Sequence, residues 1–171
     1  MSHSYHHDFT SANEAVFDKH AADADHRPMA AELAEIVSAA ILQAHPFDRE
    51  ATAVLDYACG IGIVSRRLAP HCKTLLGVDI SQGMVVRAEL KGEATELGGT
   101  KFDVVVCSPA YHHLADIAAA TRVLASFLKP GGALLVVDFP AMDVDAIHVP
   151  EDIAHTITHK GGLRGCDQGG V

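Results

Sequence analysis

The stretch Thr52–Ser65, TAVLDYACGIGIVS, decides the fold expected for this 171-residue chain. It begins with an apolar run typical of a β-strand, Ala53–Leu55, which is followed by Asp56. A loop of small residues, Ala58–Gly62, then leads into Ile63–Ala69, a segment compatible with a helix. A strand that enters a helix through a glycine turn presents backbone N–H groups and the positive end of the helix dipole. The stretch therefore predicts an α/β fold with a site for the anionic part of a nucleotide-like ligand.

A second apolar run places another acid near this loop. Thr74–Val78 is predicted to be a strand, and Asp79 follows it, 17 positions after Gly62. In a βαβ unit, this acid is expected at the carboxyl end of the neighbouring strand, where it can accept hydrogen bonds from both hydroxyls of a ribose. The dinucleotide fingerprint G-x-G-x-x-G requires a third glycine where this chain has Ser65, which weakens a nicotinamide interpretation.

The two stretches resemble motifs of the class I S-adenosylmethionine-dependent methyltransferase family. Leu55–Gly62 (LDYACGIG) is similar to its first motif and Leu76–Ile80 (LGVDI) to its ribose-binding second motif, with small-molecule members of the ubiquinone-biosynthesis type most similar. The resemblance implies S-adenosylmethionine as the cofactor. The residues it assigns to the cofactor are Asp56, Ala58, Gly60, Gly62, Asp79, Ile80, Glu89 and Ser108.

A third motif indicates where the acceptor binds. Phe102–Cys107 (FDVVVC) is predicted to be a buried strand because of its β-branched residues. It leads into Ser108–Leu114 (SPAYHHL), which resembles the family's fourth motif, where substrate and methyl group meet. Either histidine, His112 or His113, or Tyr111 could accept or relay a proton from a hydroxyl substrate. The resemblance favours Tyr111 and His113 as the catalytic residues. The alternative is that these side chains only pack and cap the next helix.

Helices are expected on both sides of this sheet. Glu14–Ala24 and Pro28–Ala44 are predicted helices that either cover the cofactor as a lid or only cap the sheet. Asp116–Leu128 is a predicted helix that Lys129–Gly132 ends, and Ala133–Phe139 is the next predicted strand. The apolar faces expected to be buried are Leu33, Ile36, Val37, Ala40, Ile41 and Ala44 in one helix, and Ile117, Ala120, Val123, Leu124 and Phe127 in the other.

Two parts of the chain depart from the family pattern. Residues 80–101 are too few for two crossovers and a strand, so one helix is expected from about Gln82 to Lys91. The alternative makes Val85–Leu90 a third strand, with Glu89 facing the adenine amino group. After Phe139 no further strand is predicted, so the family's C-terminal antiparallel strands are expected to be absent. The uncovered sheet edge would then favour self-association.

The expected organisation is a disordered tail at 1–13, a methyltransferase-like domain at 14–160 with N-terminal helices at 14–50, and a flexible tail at 161–171. The expected fold is a Rossmann-like, mostly parallel sheet of four to five strands flanked by helices. The net charge of −9 argues against nucleic acid as a partner, and the absence of a long apolar run argues against a membrane span. We therefore expect a cytoplasmic protein.

The cysteines and histidines do not predict a disulfide framework or a metal site. The cysteines, Cys59, Cys72, Cys107 and Cys166, have no C-x-x-C spacing and are expected to be free thiols. The N-terminal histidines have no carboxylate or cysteine to complete a metal site, so no metal is expected. The function implied by the resemblance is methyl transfer to a small-molecule acceptor. The alternatives are a cofactor-binding protein without turnover, a degenerate methyltransferase-like protein and a nicotinamide-dependent oxidoreductase.

Overall fold

The computed structural model describes residues 9–22, 29–82 and 99–139. The helices are α1 (Phe9–His20), α2 (Ala30–Ala44), α3 (Ile63–Leu68) and α4 (Ile117–Ser126), and the strands are β1 (Ala53–Tyr57), β2 (Thr74–Val78), β3 (Phe102–Cys107) and β4 (Leu128–Val136). Short 3₁₀ turns lie at Ala69–His71 and Tyr111–His113.

The four strands form one parallel sheet in the order β2-β1-β3-β4. The predicted bounds of β2 and β3 are confirmed to the residue, and the predicted strand at Ala53–Leu55 extends to Tyr57. Because all four strands run in the same direction, their carboxyl ends lie along one edge of the sheet. The loops that carry the predicted site residues leave the sheet at that edge.

The core lies on both faces of this sheet. Val54 and Val104 pack on one face with residues of α2 and α3, while Leu55 and Val105 pack on the other face with Leu124 of α4. Strands covered on both faces have apolar side chains at consecutive positions, which explains the continuous apolar runs in β1 and β3. The α/β prediction with flanking helices is confirmed.

The N-terminal helices differ from the prediction in their bounds and in the buried face. Helix α1 begins at Phe9, so residues 9–13, which were predicted to belong to a disordered tail, are helical. In α2 the predicted burial of Ile36 is wrong, since its side chain is 60% exposed, and Ala40 and Ala44 are exposed as well. The buried residues of α2 are Ala34, Val37, Ser38 and Ile41. This stripe has the helical i, i+3, i+4, i+7 spacing, but it is rotated away from the predicted one.

The C-terminal helix is shorter than predicted. Asp116 caps α4 by accepting a hydrogen bond from the N–H of Ala119 at 2.8 Å. The helix ends at Ser126, and Leu128 pairs with Phe102 in the sheet, so the predicted end at Leu128 is wrong. Val123 was predicted to be buried and is 54% exposed.

The segment Lys129–Gly132 lies inside β4 as an irregularity of its pairing with β3. Phe102 pairs with Leu128, and Val104 pairs with Ala133, so the intervening residues bulge out. Gly131 has a φ of 79°, and a Cβ on Gly132 would lie 2.8 Å from the carbonyl oxygen of Asp103. The predicted role of the glycines in turning the chain is confirmed at Gly131, although the strand ends at Val136 rather than Phe139.

Several predictions lie outside the described residues. They are the choice between a helix and a strand at 83–98, the site residue Glu89, the helix at Pro150–His159, the missing C-terminal strands and the two tails at 1–8 and 161–171. Within the described ranges, every helix is too short or too polar to cross a membrane.

Candidate functional site

The loop after β1 has an unusual backbone. Ala58, Gly60 and Gly62 all have positive φ angles, of 58°, 55° and 77°. Glycine adopts this conformation readily, whereas alanine pays roughly 1–2 kcal/mol for it. A Cβ on Gly60 would meet no atom of the described residues within 4 Å. The loop therefore has open space in front of Gly60, where a ligand can approach the backbone.

Asp56 lies beneath this loop and is 1% exposed. The Ser65 hydroxyl donates a hydrogen bond to its Oδ2 atom. Burial raises the pKa of Asp56 to about 7, the bond from Ser65 opposes this rise, and the charge of Asp79 adds to it. The Oδ1 atom is buried and has no hydrogen-bond partner among the residues that the structure describes. Sequence reasoning noted Ser65 only as the missing third glycine and overlooked it as the partner of Asp56.

Asp79 ties the end of β2 to the glycine loop. Its Oδ2 atom accepts the N–H of Gly60 at 2.8 Å, and its Oδ1 atom accepts the N–H of Ser81 at 2.9 Å. Each carboxylate oxygen can accept a second hydrogen bond, so these contacts leave acceptor positions for a ligand. Ile80, the neighbouring predicted cofactor residue, is 47% exposed. The structure thus places Asp79 against the loop, as predicted from a βαβ unit.

Helix α1 crosses the carboxyl edge of the sheet and contacts the loops that follow three strands. Phe17 packs with Ile61 after β1, and its ring meets the ring of His113 after β3 at a centroid distance of 5.1 Å. The Ser81 hydroxyl, after β2, donates to Asp18. These contacts place α1 over the predicted site, which favours the lid interpretation for this helix. Helix α2 packs on a face of the sheet instead.

Asn13 adds a polar contact from α1 that sequence reasoning missed. Its Nδ2 atom donates to the carbonyl oxygen of His113 at 3.2 Å, which fixes the orientation of the amide. Within the described part of the chain, the buried Oδ1 atom has no hydrogen-bond partner. The buried hydroxyl of Ser108, a predicted cofactor residue that follows β3, has none there either. Two polar atoms near the Tyr111–His113 turn are therefore unsatisfied by the described residues.

Tyr111 lies in the core rather than in open space. Its side chain is 3% exposed, and its hydroxyl shares a hydrogen bond of 3.1 Å with the hydroxyl of Thr121 in α4. Burial raises the pKa of Tyr111, and the bond with Thr121 opposes this rise. These contacts support the packing alternative for Tyr111.

A histidine–aspartate pair lies beside His113. His112 Nδ1 is 2.7 Å from Asp138 Oδ1, and the backbone N–H of His112 donates to Asp138 Oδ2 at 2.9 Å. Burial raises the pKa of Asp138, but the hydrogen bond from His112 and its charge outweigh this effect and lower it. The rings of His112 and His113 lie 4.0 Å apart. Sequence reasoning missed Asp138, although an acid just after a parallel strand was the available signal.

The thiols near the loop do not suit nucleophilic chemistry. Cys59, Cys72 and Cys107 are buried and free, which confirms the free-thiol prediction for these three. Burial, with a contribution from the charge of Asp56, raises the pKa values of Cys59 and Cys107. A raised pKa keeps a thiol protonated and inert. Among the residues that the structure describes, no group of three or more histidine, cysteine or acidic side chains could hold a metal ion.

Known sequences that are similar to this chain are methyltransferases. A profile described as "Methyltransferase domain" matches residues 27–163. An uncharacterized methyltransferase of Schizosaccharomyces pombe is 38% identical over 136 residues, covering 64% of this chain and 48% of that protein. The ubiquinone biosynthesis O-methyltransferase of Coxiella burnetii is 30% identical over 95 residues, covering 47% of this chain and 41% of that protein. The chain thus spans about half the length of the curated relatives it matches.

Solved structures share the fold. The DhpI–SAM–HEP complex superposes with a TM-score of 0.64 at 20% identity, covering 83% of this chain and 71% of that one. This identity supports a similarity of fold alone. A structure of a putative methyltransferase from Bacillus halodurans gives a TM-score of 0.53 at 28% identity, covering 64% of this chain and 53% of that one.

Proposed function

This chain belongs to the class I S-adenosylmethionine-dependent methyltransferase family, and we propose that it transfers the methyl group of S-adenosylmethionine to a small-molecule acceptor. The observation that carries this proposal is the geometry of the loop after β1. Its left-handed residues leave open space at Gly60, its backbone is tied to Asp79, and α1 lies across it.

The residues present fit the proposed cofactor. The open backbone at Gly60 admits a ligand, and Asp79 retains acceptor positions suited to ribose hydroxyls. The buried atoms Asp56 Oδ1 and Ser108 Oγ have no hydrogen-bond partner. A buried polar group without a partner costs about 1–3 kcal/mol, so a ligand with hydrogen-bonding groups would stabilise a site that contains these atoms.

The assignment of individual residues follows from this fit. The loop residues Ala58, Gly60 and Gly62, with Asp56 beneath them, would hold the methionine portion of the cofactor. Asp79 would hold the ribose, with Ile80 beside it. Ser108 lies at the end of β3, between this loop and the proposed acceptor side, and Glu89 remains the proposed partner of the adenine amino group.

When bound, S-adenosylmethionine supplies an electrophilic methyl group, so the chain must chiefly position the acceptor and exclude water. Helix α1 is suited to both tasks, because Phe17 packs against the cluster of Ala21 and Ile61, and its ring contacts the His113 ring. We propose that the acceptor binds next to the Tyr111–His113 turn. Within that turn Tyr111 has the packing contacts described above, so His113 and its neighbours carry the polar contacts to the acceptor.

The acceptor class rests on the relatives and on the character of the site. The Coxiella burnetii relative is named for O-methylation in ubiquinone biosynthesis, which supports a small molecule with a hydroxyl group. The net charge of −9 disfavours nucleic acid as the acceptor, because binding to phosphates needs basic residues. A hydroxyl acceptor also matches the unpartnered amide oxygen of Asn13, since this atom needs a hydrogen-bond donor.

Calorimetric titration with S-adenosylmethionine and S-adenosylhomocysteine tests the cofactor half of the proposal. We expect both to bind, and we expect Asp79→Ala to weaken binding by about 2–4 kcal/mol because it removes charge-assisted hydrogen bonds. Gly60→Val should weaken binding further by filling the space in front of the loop. His71→Gln, a change at an exposed residue, serves as the control. No heat of binding for the wild-type chain at millimolar cofactor would overturn the proposal.

The transfer half needs a second measurement. A panel of phenol, alkanol and amine acceptors, with radiolabelled methyl donor, should give at least one methylated product. Cofactor binding without any labelled product would instead support a cofactor-binding protein without turnover.

A further inference from the structure

The hydrogen bonds between His112 and Asp138 determine which ring nitrogen of the neutral imidazole carries the proton. Asp138 Oδ2 accepts the backbone N–H of His112, and its Oδ1 faces the ring nitrogen Nδ1 and also accepts the backbone N–H of Phe139. Side-chain exposures of 18% for His112 and 5% for Asp138 place the pair largely out of water. A carboxylate can only accept, so the neutral ring carries its proton on Nδ1, and the lone pair belongs to Nε2.

The parallel register brings the pair to the proposed acceptor side. Cys107 at the end of β3 pairs with Val136 at the end of β4, and the N–H of Val137 donates to the Cys107 carbonyl at 3.1 Å. The residues that follow these two strand ends therefore meet at the carboxyl edge of the sheet. His113 is held differently. Its ring meets the rings of Phe17 and His112, and its backbone carbonyl accepts a hydrogen bond from the amide of Asn13.

We propose that His112, rather than His113, accepts the proton of the acceptor, and that Asp138 is the positioning residue that holds it in the required tautomer. This inference rests on the proposed methyl transfer. The acceptor oxygen or nitrogen forms a bond to the methyl carbon, the carbon–sulfur bond breaks, and the sulfur keeps the electron pair. The proton of the acceptor moves to His112 Nε2, and the resulting imidazolium faces the Asp138 carboxylate before it releases its proton to water.

The substitution Asp138→Ala tests the tautomer directly. An asparagine is unsuitable, because its amide oxygen at the Oδ1 position would still accept hydrogen bonds from Nδ1–H and from the N–H of Phe139. Alanine removes the acceptor that faces Nδ1. The Nδ1–H form then loses its stabilising hydrogen bond, and its population should fall.

Nitrogen-15 NMR of the full chain at a pH above the histidine titration measures this tautomer without any turnover. We expect the Nδ1–H form for His112 in the wild type and a larger share of the Nε2–H form in Asp138→Ala. His112→Gln identifies the resonance, and His71→Gln serves as the matched control. An Nε2–H tautomer in the wild type, or the same share of the two tautomers in both proteins, would overturn the proposal.

Kinetics with a methylated acceptor from the panel then test the role in catalysis. We expect His112→Gln and Asp138→Ala to lower kcat by about 10²–10⁴-fold, with the affinity for S-adenosylhomocysteine changed less than about threefold. Transfer that survives Asp138→Ala at the wild-type rate removes the role of the pair and leaves the proposed function intact. A wild-type chain that binds the cofactor and methylates no acceptor removes both. A chain that does not bind the cofactor also removes both, because the proposed proton transfer requires methyl transfer.

Discussion

The Ser65 hydroxyl donates a hydrogen bond to the buried carboxylate of Asp56, at the sequence position where a dinucleotide fold would have its third glycine. Ser65 lies in α3 and Asp56 in β1, so the bond joins the strand to the helix beneath the glycine loop. The hydroxyl thus satisfies one oxygen of an acid that is 1% exposed.

Asp56 should make stability depend on pH. Burial raises its pKa from 3.8 in the unfolded chain to about 7, so the folded state binds more protons than the unfolded state between these values. The free energy of unfolding should therefore fall as pH rises from about 4 to 7, with a slope of up to about 1.4 kcal/mol per pH unit from this residue. Asp56→Asn keeps an acceptor for Ser65 and should remove this slope. Thermal melts of both proteins at pH 5, 6, 7 and 8 would measure it, and parallel curves would show that Asp56 does not titrate in this range.

Ala58→Gly should stabilise the chain. Ala58 has a φ of 58°, which costs alanine roughly 1–2 kcal/mol, while glycine loses about 0.5–1 kcal/mol through its greater freedom in the unfolded state. We expect a gain of up to about 1 kcal/mol in the free energy of unfolding, measured by urea denaturation. Ala40→Gly is the matched control, since it makes the same change at an exposed position of α2 and should cost about 1 kcal/mol. Destabilisation by both substitutions would contradict the left-handed assignment at Ala58.

Gly132→Ala should destabilise the pairing of β3 with β4. The added Cβ would lie 2.8 Å from the Asp103 carbonyl oxygen, so the backbone must shift, at a cost of about 1–3 kcal/mol. Gly131→Ala isolates the effect of conformation, because a Cβ there meets nothing within 4 Å but has a φ of 79°. Gly131→Ala should cost about 1–2 kcal/mol. Urea denaturation curves of the two variants would compare them, and an unchanged stability of Gly132→Ala would show that the strand can move without cost.

Phe17→Ala should loosen α1 over the site. The substitution removes the ring that packs with Ile61 and meets His113. We expect trypsin to cut faster after Lys19, and S-adenosylhomocysteine to protect this bond in the wild type more than in the variant. In Glu14→Ala, which changes an exposed position of the same helix, trypsin should cut after Lys19 at the wild-type rate. Equal cutting of all three proteins would mean that Phe17 does not hold α1 in place.

The strands could be predicted because their burial leaves a signal in the sequence. Thr74–Val78 and Phe102–Cys107 match β2 and β3 to the residue, since sheets covered on both faces select continuous apolar runs bounded by polar residues. The glycine loop and Asp79 were predicted for a similar reason, because the loop backbone needs particular residue types. These features depend on short stretches of the chain alone.

The helix faces and part of the site depend on long-range packing. Ile36 and Val123 belong to apolar stripes wider than the contact that each helix makes, and the sequence does not show which side of the stripe meets the sheet. The pairing of His112 with Asp138 joins residues from two loops, and it follows from the register of β3 with β4. A periodicity read along one segment contains no information about that register.

The register at Cys107 and Val136 also sets which insertions the chain can tolerate. His112 and Asp138 are 26 positions apart, yet their meeting depends only on the short spans that follow two adjacent strand ends. Extra residues at the amino end of α4 lengthen the crossover between β3 and β4. They leave unchanged the span from Cys107 to His112 and the span from Val136 to Asp138. A single residue inserted between Val136 and Asp138 would shift the carboxylate by one position along an extended backbone and turn it to the opposite side. Length variation within the crossover should therefore be neutral, whereas length variation within these two residues should separate the pair.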